Sequence, residues 1–162
     1  MGRSGRARHL PSATVGAYAG HSLIAVLDTS AITGLAPIDD RRRARLRALR
    51  AIADDIIVPT AVLAEGVLTG HPGRDHHVRR LLALVAVTDV DEDLAYAAGR
   101  LRQQAIKDGA NPPPSGVDAI VAALADRRAG RDDVQIVTSD PADLGLLASY
   151  GDNAARIFIK AI

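Results

Sequence analysis

The apolar positions of this chain fall into short unbroken runs and longer helical stripes, taken in alternation. Leu23-Ile24-Ala25-Val26-Leu27 stops abruptly at Asp28, as a strand buried on both faces does where it reaches the edge of a sheet. A short helix near Ser30–Leu35 is stopped by Pro37. Asp39-Asp40 then opens an arginine-rich amphipathic helix that runs through Ala53, with Leu46, Leu49 and Ile52 on one side. Asp55–Pro59 reads as a second strand, and Gly73–Val85 as a helix on the spacing of Val78, Leu81, Leu82 and Val85. Ala86-Val87-Thr88 is a weak third strand. Asp91–Lys107 is a long helix ended by Gly109. After the stiff connector Asn111–Ser115, Ser115 caps a helix carrying Val117, Ile120, Val121 and Leu124. Val134–Thr138 is a fourth strand, Pro141–Ser149 a short helix, and Arg156–Ile159 a closing strand.

Strands separated by helices throughout predict an α/β fold: one central, mostly parallel sheet of four to five strands with helices on both faces. No internal repeat and no second domain is visible, and 162 residues suffice for one ordinary core. Residues 23–162 are assigned to that domain and residues 1–22 to a basic, flexible N-terminal arm. In open sheets of this kind ligands gather beyond the carboxyl ends of the strands, which directs attention to Asp28 and Asp140.

Composition narrows the chemistry. The absence of cysteine excludes disulfides, thiolate metal sites and cysteine nucleophiles, and suits a cytoplasmic protein. The net charge of +1 hides an asymmetry: Arg3, Arg6 and Arg8 precede residue 23, while all 19 acids follow it. Only two of the 20 basic residues are lysines, and arginine grips phosphate through a planar fork. Four aromatic residues are too few for a base-stacking platform, so contact with nucleic acid would rest on backbone charge. No apolar stretch approaches the ~20 residues of a membrane helix, so no membrane partner is expected.

One charge stands out. Glu65 is the sole ionisable residue of the run Pro59–Leu68, which reads as a helix packed on nearly every side and ending at Gly70. A carboxylate taken out of water costs several kcal/mol, roughly, unless it is paired, protonated or bound to a metal. Three aspartates offer it company, each with an ordinary alternative. Asp28 suits a helix cap, Asp118 follows Ser115 as in a capping box, and Asp140-Pro141 is a good helix start. Two carboxylates ~5 Å apart repel by roughly 3 kcal/mol at an effective dielectric of ~20, so four gathered together call for a cation. All-oxygen ligation favours Mg²⁺ or Mn²⁺.

Asp28-Thr29-Ser30-Ala31, Pro59-Thr60-Ala61-Val62-Leu63-Ala64-Glu65, Val117–Ala125 and Ile136–Leu144 resemble, in order and spacing, the four signature segments of PIN-domain ribonucleases, most closely the VapC-type toxins. The resemblance covers about Leu23 to Ile162. It implies a metal-dependent endoribonuclease acting on tRNA, rRNA or mRNA, with Asp28, Glu65, Asp118 and Asp140 as catalytic and metal-binding acids and Asp143 as an auxiliary one. Ser30 and Thr138 fall where the family places small hydroxyl residues. It further implies an antitoxin partner and a homodimer. Arg41, Arg42, Arg43 and Arg47, with Arg74, Arg79 and Arg80, are the candidates for RNA phosphates.

Other classes fit less well. Ser30 stands where a dehalogenase-like phosphatase would carry a second acid. A receiver domain would need paired acids at the first strand and a late lysine. A PIN-like protein that binds RNA or a partner without cutting remains the principal alternative. His71, His76 and His77 show no carboxylate-plus-histidine ligand spacing and read as residues edging the cleft.

Overall fold

The computed structural model describes residues 22–162; the N-terminal arm, residues 1–21 of it, lies outside the described residues. Five strands form one sheet in the order β3-β2-β1-β4-β5: β1 Leu23–Leu27, β2 Asp55–Pro59, β3 Ala86–Thr88, β4 Asp133–Thr138 and β5 Ile157–Ala161. Every pairing is parallel. The central strand β1 is buried almost along its whole length, which is why it reads as an unbroken apolar run rather than an alternating one.

Seven helices connect the strands among the described residues. α1 (Thr29–Leu35) packs on α2 (Asp40–Ile52) and on α4 (Pro72–Leu82), whereas α5 (Glu92–Lys107), α6 (Gly116–Ala129) and α7 (Pro141–Ser149) pack on one another. α3 (Thr60–Leu63) is a single turn. α6 departs from the expected one-sided stripe: Ala119 and Val121 to Ala125 are all buried, because this helix lies between α5, α7 and the central strands. A helix hemmed in on all sides takes alanine where a surface helix would take charge.

The chain leaves β1 toward β2 and β3, then crosses back through α5 and α6 to enter β4 on the other side of β1. The reversal falls between β1 and β4. There α1 packs toward α2 and α4, and α7 toward α5 and α6, and a crevice lined by Ser30 and Ser139 lies beyond the strand ends.

The crossover is fastened at its start by the Arg127 guanidinium, which donates to both Asp91 carboxylate oxygens at 2.7 and 2.8 Å. Asp91 also caps α5 through Leu94 N at 2.8 Å. The pair of bonds from Arg127, and then the bond from Leu94, draw the Asp91 carboxyl down from 3.8 to about 2. A carboxyl depressed by folding contributes stability above its unfolded value, and that contribution fades as pH falls from about 4 to about 2. Arg127→Ala is therefore expected to lose stability at pH 6 and to converge on the parent near pH 2. Urea midpoints at the two pH values check this; an unchanged difference at pH 2 would refute it.

Candidate functional site

The crevice at the reversal is organised around Asp28. Its side chain is 7% exposed, and it accepts from Ala31 N at 2.6 Å, from Ser30 Oγ at 2.8 and 2.9 Å, and from Thr138 Oγ1 at 2.6 Å. The capping role expected of it exists, since Ala31 N belongs to the first turn of α1. Two hydroxyls aimed at the same carboxylate go beyond capping. Thr138, fully buried at the end of β4, donates to Asp28 and accepts from Asp140 N at 2.8 Å. Ser30 Oγ likewise accepts from Ser139 N at 2.7 Å. The ends of β1 and β4 are thus sewn together by two hydroxyls, one from each side.

Asp140 sits at the cap position of α7, but its carboxylate makes no capping bond and is exposed beside the crevice. The ordinary explanation therefore does not account for its side chain. Asp118 lies in the first turn of α6, where Ser115 Oγ accepts from its backbone N at 3.0 Å and donates to its Oδ2 at 2.7 Å. This is half of a capping box; the shorter Asp meets the hydroxyl rather than the backbone amide of residue 115. Asp143, half-buried in the first turn of α7, completes this side of the crevice.

Glu65 requires a correction. The helix does not run from Pro59 to Gly70: it ends after one turn at Leu63, and Glu65 is exposed in the turn that follows. Gly66 (φ 79°) and Gly70 (φ 80°) adopt the left-handed conformation, which ends the helix and reshapes the segment. Asp75, buried on α4, clasps that segment by accepting from Thr69 N at 2.9 Å and Gly70 N at 2.8 Å. The bond from Thr69 holds the Asp75 carboxyl below its ordinary value. Glu65 does have a partner, namely the Thr29 hydroxyl, which donates to its Oε2. Thr29 directly follows Asp28, so the turn delivers Glu65 to the same strand end.

The acids on the α6 side feel one another. Burial, then the neighbouring charges of Glu65 and Asp143, push the Asp118 carboxyl above its ordinary value, against the lowering bonds from Ser115. An acid raised by folding penalises the fold once pH climbs past its unfolded value and through its folded one. At neutral pH Asp118→Asn is expected to raise the melting temperature of the protein in EDTA. A lower melting temperature for the variant in EDTA would contradict the charge balance described here.

Among the described residues, no three carboxylate or imidazole side chains converge into a complete metal cage. The donor set nevertheless fits a hard cation, since it is all oxygen and mutually repelling. Mg²⁺ retains several waters and takes one or two carboxylates rather than a full protein cage. The histidines lie outside this set: His71 caps α4 by accepting from Arg74 N at 3.3 Å, and His76 and His77 meet edge to face.

A cavity of about 490 Å³ adjoins the acids and shares Ser30 and Ser139 with them. Of the seven arginines proposed from sequence, Arg42 and Arg74 line it; Arg41, Arg43, Arg47, Arg79 and Arg80 are exposed elsewhere on α2 and α4. Arg43 is occupied with Asp40 at 2.8 Å. Arg45 also lines the cavity and was missed, as was Thr29. Helical spacing was the available signal for Arg45, which lies three residues after Arg42 and shares its face.

This arrangement belongs to a known family. A sequence model of the PIN domain matches residues 25–142, most of the chain, and the protein is a member of the PIN domain family. No curated protein sequence matches it. Among solved structures it is similar to VapBC2 from Rickettsia felis, crystallised with a DNA fragment from its promoter, at 17% identity and a TM-score of 0.63, covering 86% of this chain and 98% of that one. VapBC-5 from Mycobacterium tuberculosis, a member of the VapBC family of toxin–antitoxin systems, shares 27% identity at a TM-score of 0.56, covering 86% and 98%. VapC20 from the same organism, a toxin that cleaves the Sarcin-Ricin loop, shares 21% identity at a TM-score of 0.52, covering 80% and 97%. No helix among the described residues is long and apolar enough to cross a membrane.

Proposed function

We propose that this protein is a Mg²⁺- or Mn²⁺-dependent endoribonuclease and the toxin of a type II toxin–antitoxin pair. The observation that carries the reading is the Asp28 carboxylate, buried at the reversal between β1 and β4 and fixed by hydroxyls from both strand ends. A structural cap would need only Ala31 N. The toxin–antitoxin relatives of the same fold support the biological role.

In this reading Asp28, Glu65, Asp118 and Asp140, with Asp143 behind them, hold one or two divalent ions, directly or through water. A bound ion supplies a water of lowered pKa and neutralises charge on the scissile phosphate. The protein's own contribution is positional. Thr138 and Ser30 hold the Asp28 oxygens in one orientation, Thr29 brings Glu65 to them, and Ser115 holds Asp118. Arginines beside the acids offset the repulsion that an acidic crevice exerts on RNA. A cognate antitoxin would cover the crevice with a basic side chain, and apolar residues left exposed, Tyr96 and Phe158 among them, are available to a homodimer.

The test is incubation of the purified chain with total RNA in Mg²⁺, Mn²⁺ or EDTA, followed by mapping of new ends. Discrete cuts are expected with either metal and none with EDTA. RNA retained without any cut would favour a PIN-like binding protein. Equal products with EDTA would overturn the metal-dependent mechanism.

A further inference from the structure

We infer that Arg42, Arg45 and Arg74 form a phosphate-binding subsite for a nucleotide flanking the cut, which fixes the direction in which an RNA strand leaves the acids. The three arginines, from two helices, α2 and α4, line one cavity of about 490 Å³ whose lining includes no Asp or Glu. Among the described residues the side chains of Arg45 and Arg74 make no hydrogen bond or ion pair. Arg42 donates to Thr33 O at 3.1 Å and stands 3.6 Å from Asp39, which braces it on the cavity wall. Arg45 and Arg74, without acceptors among the described residues, and the braced Arg42 stand around a void large enough for a phosphate and its sugar, arranged for an anion that arrives from outside.

The cavity is not remote from the acids. Ser30 and Ser139 lie in its wall, and the Ser30 hydroxyl donates to Asp28 while it accepts from Ser139 N. One hydroxyl therefore separates the acidic centre from the basic cavity, and a chain with regularly repeated charges can occupy both. Val78 and Ile162 give the cavity an apolar side suited to a sugar face. A phosphate offers oxygens in several directions to guanidiniums converging from two helices, whereas a carboxylate of an acidic peptide offers two in one plane. The scarcity of aromatic residues agrees with recognition through the backbone rather than through stacked bases. The identity of the anion rests on the nuclease reading; the convergence of the arginines does not.

The experiment uses the full chain in EDTA, a fluorescein-labelled mixed-sequence 12-nucleotide RNA and fluorescence anisotropy across a salt series. Each phosphate contact on a single strand adds about 0.7 to the salt slope, so Arg45→Ala with Arg74→Ala is expected to reduce it by about 1.4. Affinity at low salt is expected to fall roughly 5–20-fold. Arg100→Ala on α5 is expected to leave both unchanged. Arg45→Lys with Arg74→Lys keeps the charge and is expected to keep the slope, which guards against a folding defect in the alanine pair. In the metal-containing cleavage assay the alanine pair should raise KM with little change in kcat. An unchanged slope in the alanine pair overturns the subsite, even if the parent cuts RNA. A reduced slope in a protein that never cuts RNA upholds the subsite and overturns the nuclease reading instead. Tighter binding of a glutamate-rich 12-residue peptide, lost in the same pair, would assign the cavity to a protein partner and also overturn the proposal.

Discussion

Asp28→Asn is expected to lower metal-dependent RNA cleavage by roughly 10²–10³-fold while leaving the fold in place. Asn matches Asp in shape and can still accept from Ala31 N, so α1 keeps its cap. Its amide nitrogen, in place of Oδ2, cannot accept from Thr138, although Ser30 can still donate to the remaining oxygen, and the negative charge at the end of β1 is gone. Binding of the 12-nucleotide RNA in EDTA should tighten at the same time, because one repelling charge leaves the crevice. The opposite movement of binding and cleavage separates loss of chemistry from loss of structure. Cleavage at the parental rate by the Asn variant, with the parental metal requirement, would remove Asp28 from the mechanism.

Thr138→Val is the substitution expected to cost most in stability among those at the site. Valine nearly preserves the volume of a residue that has no solvent exposure. It deletes a hydroxyl that donates to a buried carboxylate at 2.6 Å and accepts a backbone N–H at 2.8 Å, and neither partner has another atom of residue 138 to turn to. A hydrogen bond to a charged group contributes about 1.5–3 kcal/mol, while Asp28 keeps its donors Ala31 N and Ser30 Oγ. A fall of about 2–3 kcal/mol corresponds to roughly 5–10 °C in Tm for a domain of this size. Thr138→Ser, which keeps the hydroxyl, should recover most of it. In the Asp28→Asn background the penalty should shrink, because the two residues act as one unit. A Tm within a degree of the parent would mean that the hydroxyl is dispensable.

The two strand ends could be read from sequence because a central parallel strand has no polar face: an apolar run that terminates in Asp can hardly be anything else. Ser30 and Thr138 followed from the same position and from the family pattern. The buried-helix reading of Glu65 is wrong, although the turn that holds it still brings it to Thr29 beside Asp28. An apolar decapeptide with one acid looks like a buried helix, yet Gly66 and Gly70 break it, and the clasp from Asp75 that settles its path is made by a residue of the next helix. Single-sequence periodicity has no access to such a tertiary contact. The arginines show a different limit. Seven were named by clustering in sequence, whereas only the geometry of α2 and α4 distinguishes those that share a cavity from those that face water.

The bond between Asp28 and Thr138 spans 110 positions of the chain. During synthesis Asp28 emerges first and waits while α5 and α6 are made, since β4 pairs with β1 only after that long crossover is complete. A chain arrested before Asp133 carries Asp28, Glu65 and Asp118 but lacks the strand that aligns the first of them. Under the proposed nuclease reading, the acids therefore gain their full alignment only once β4 has been made and has paired with β1.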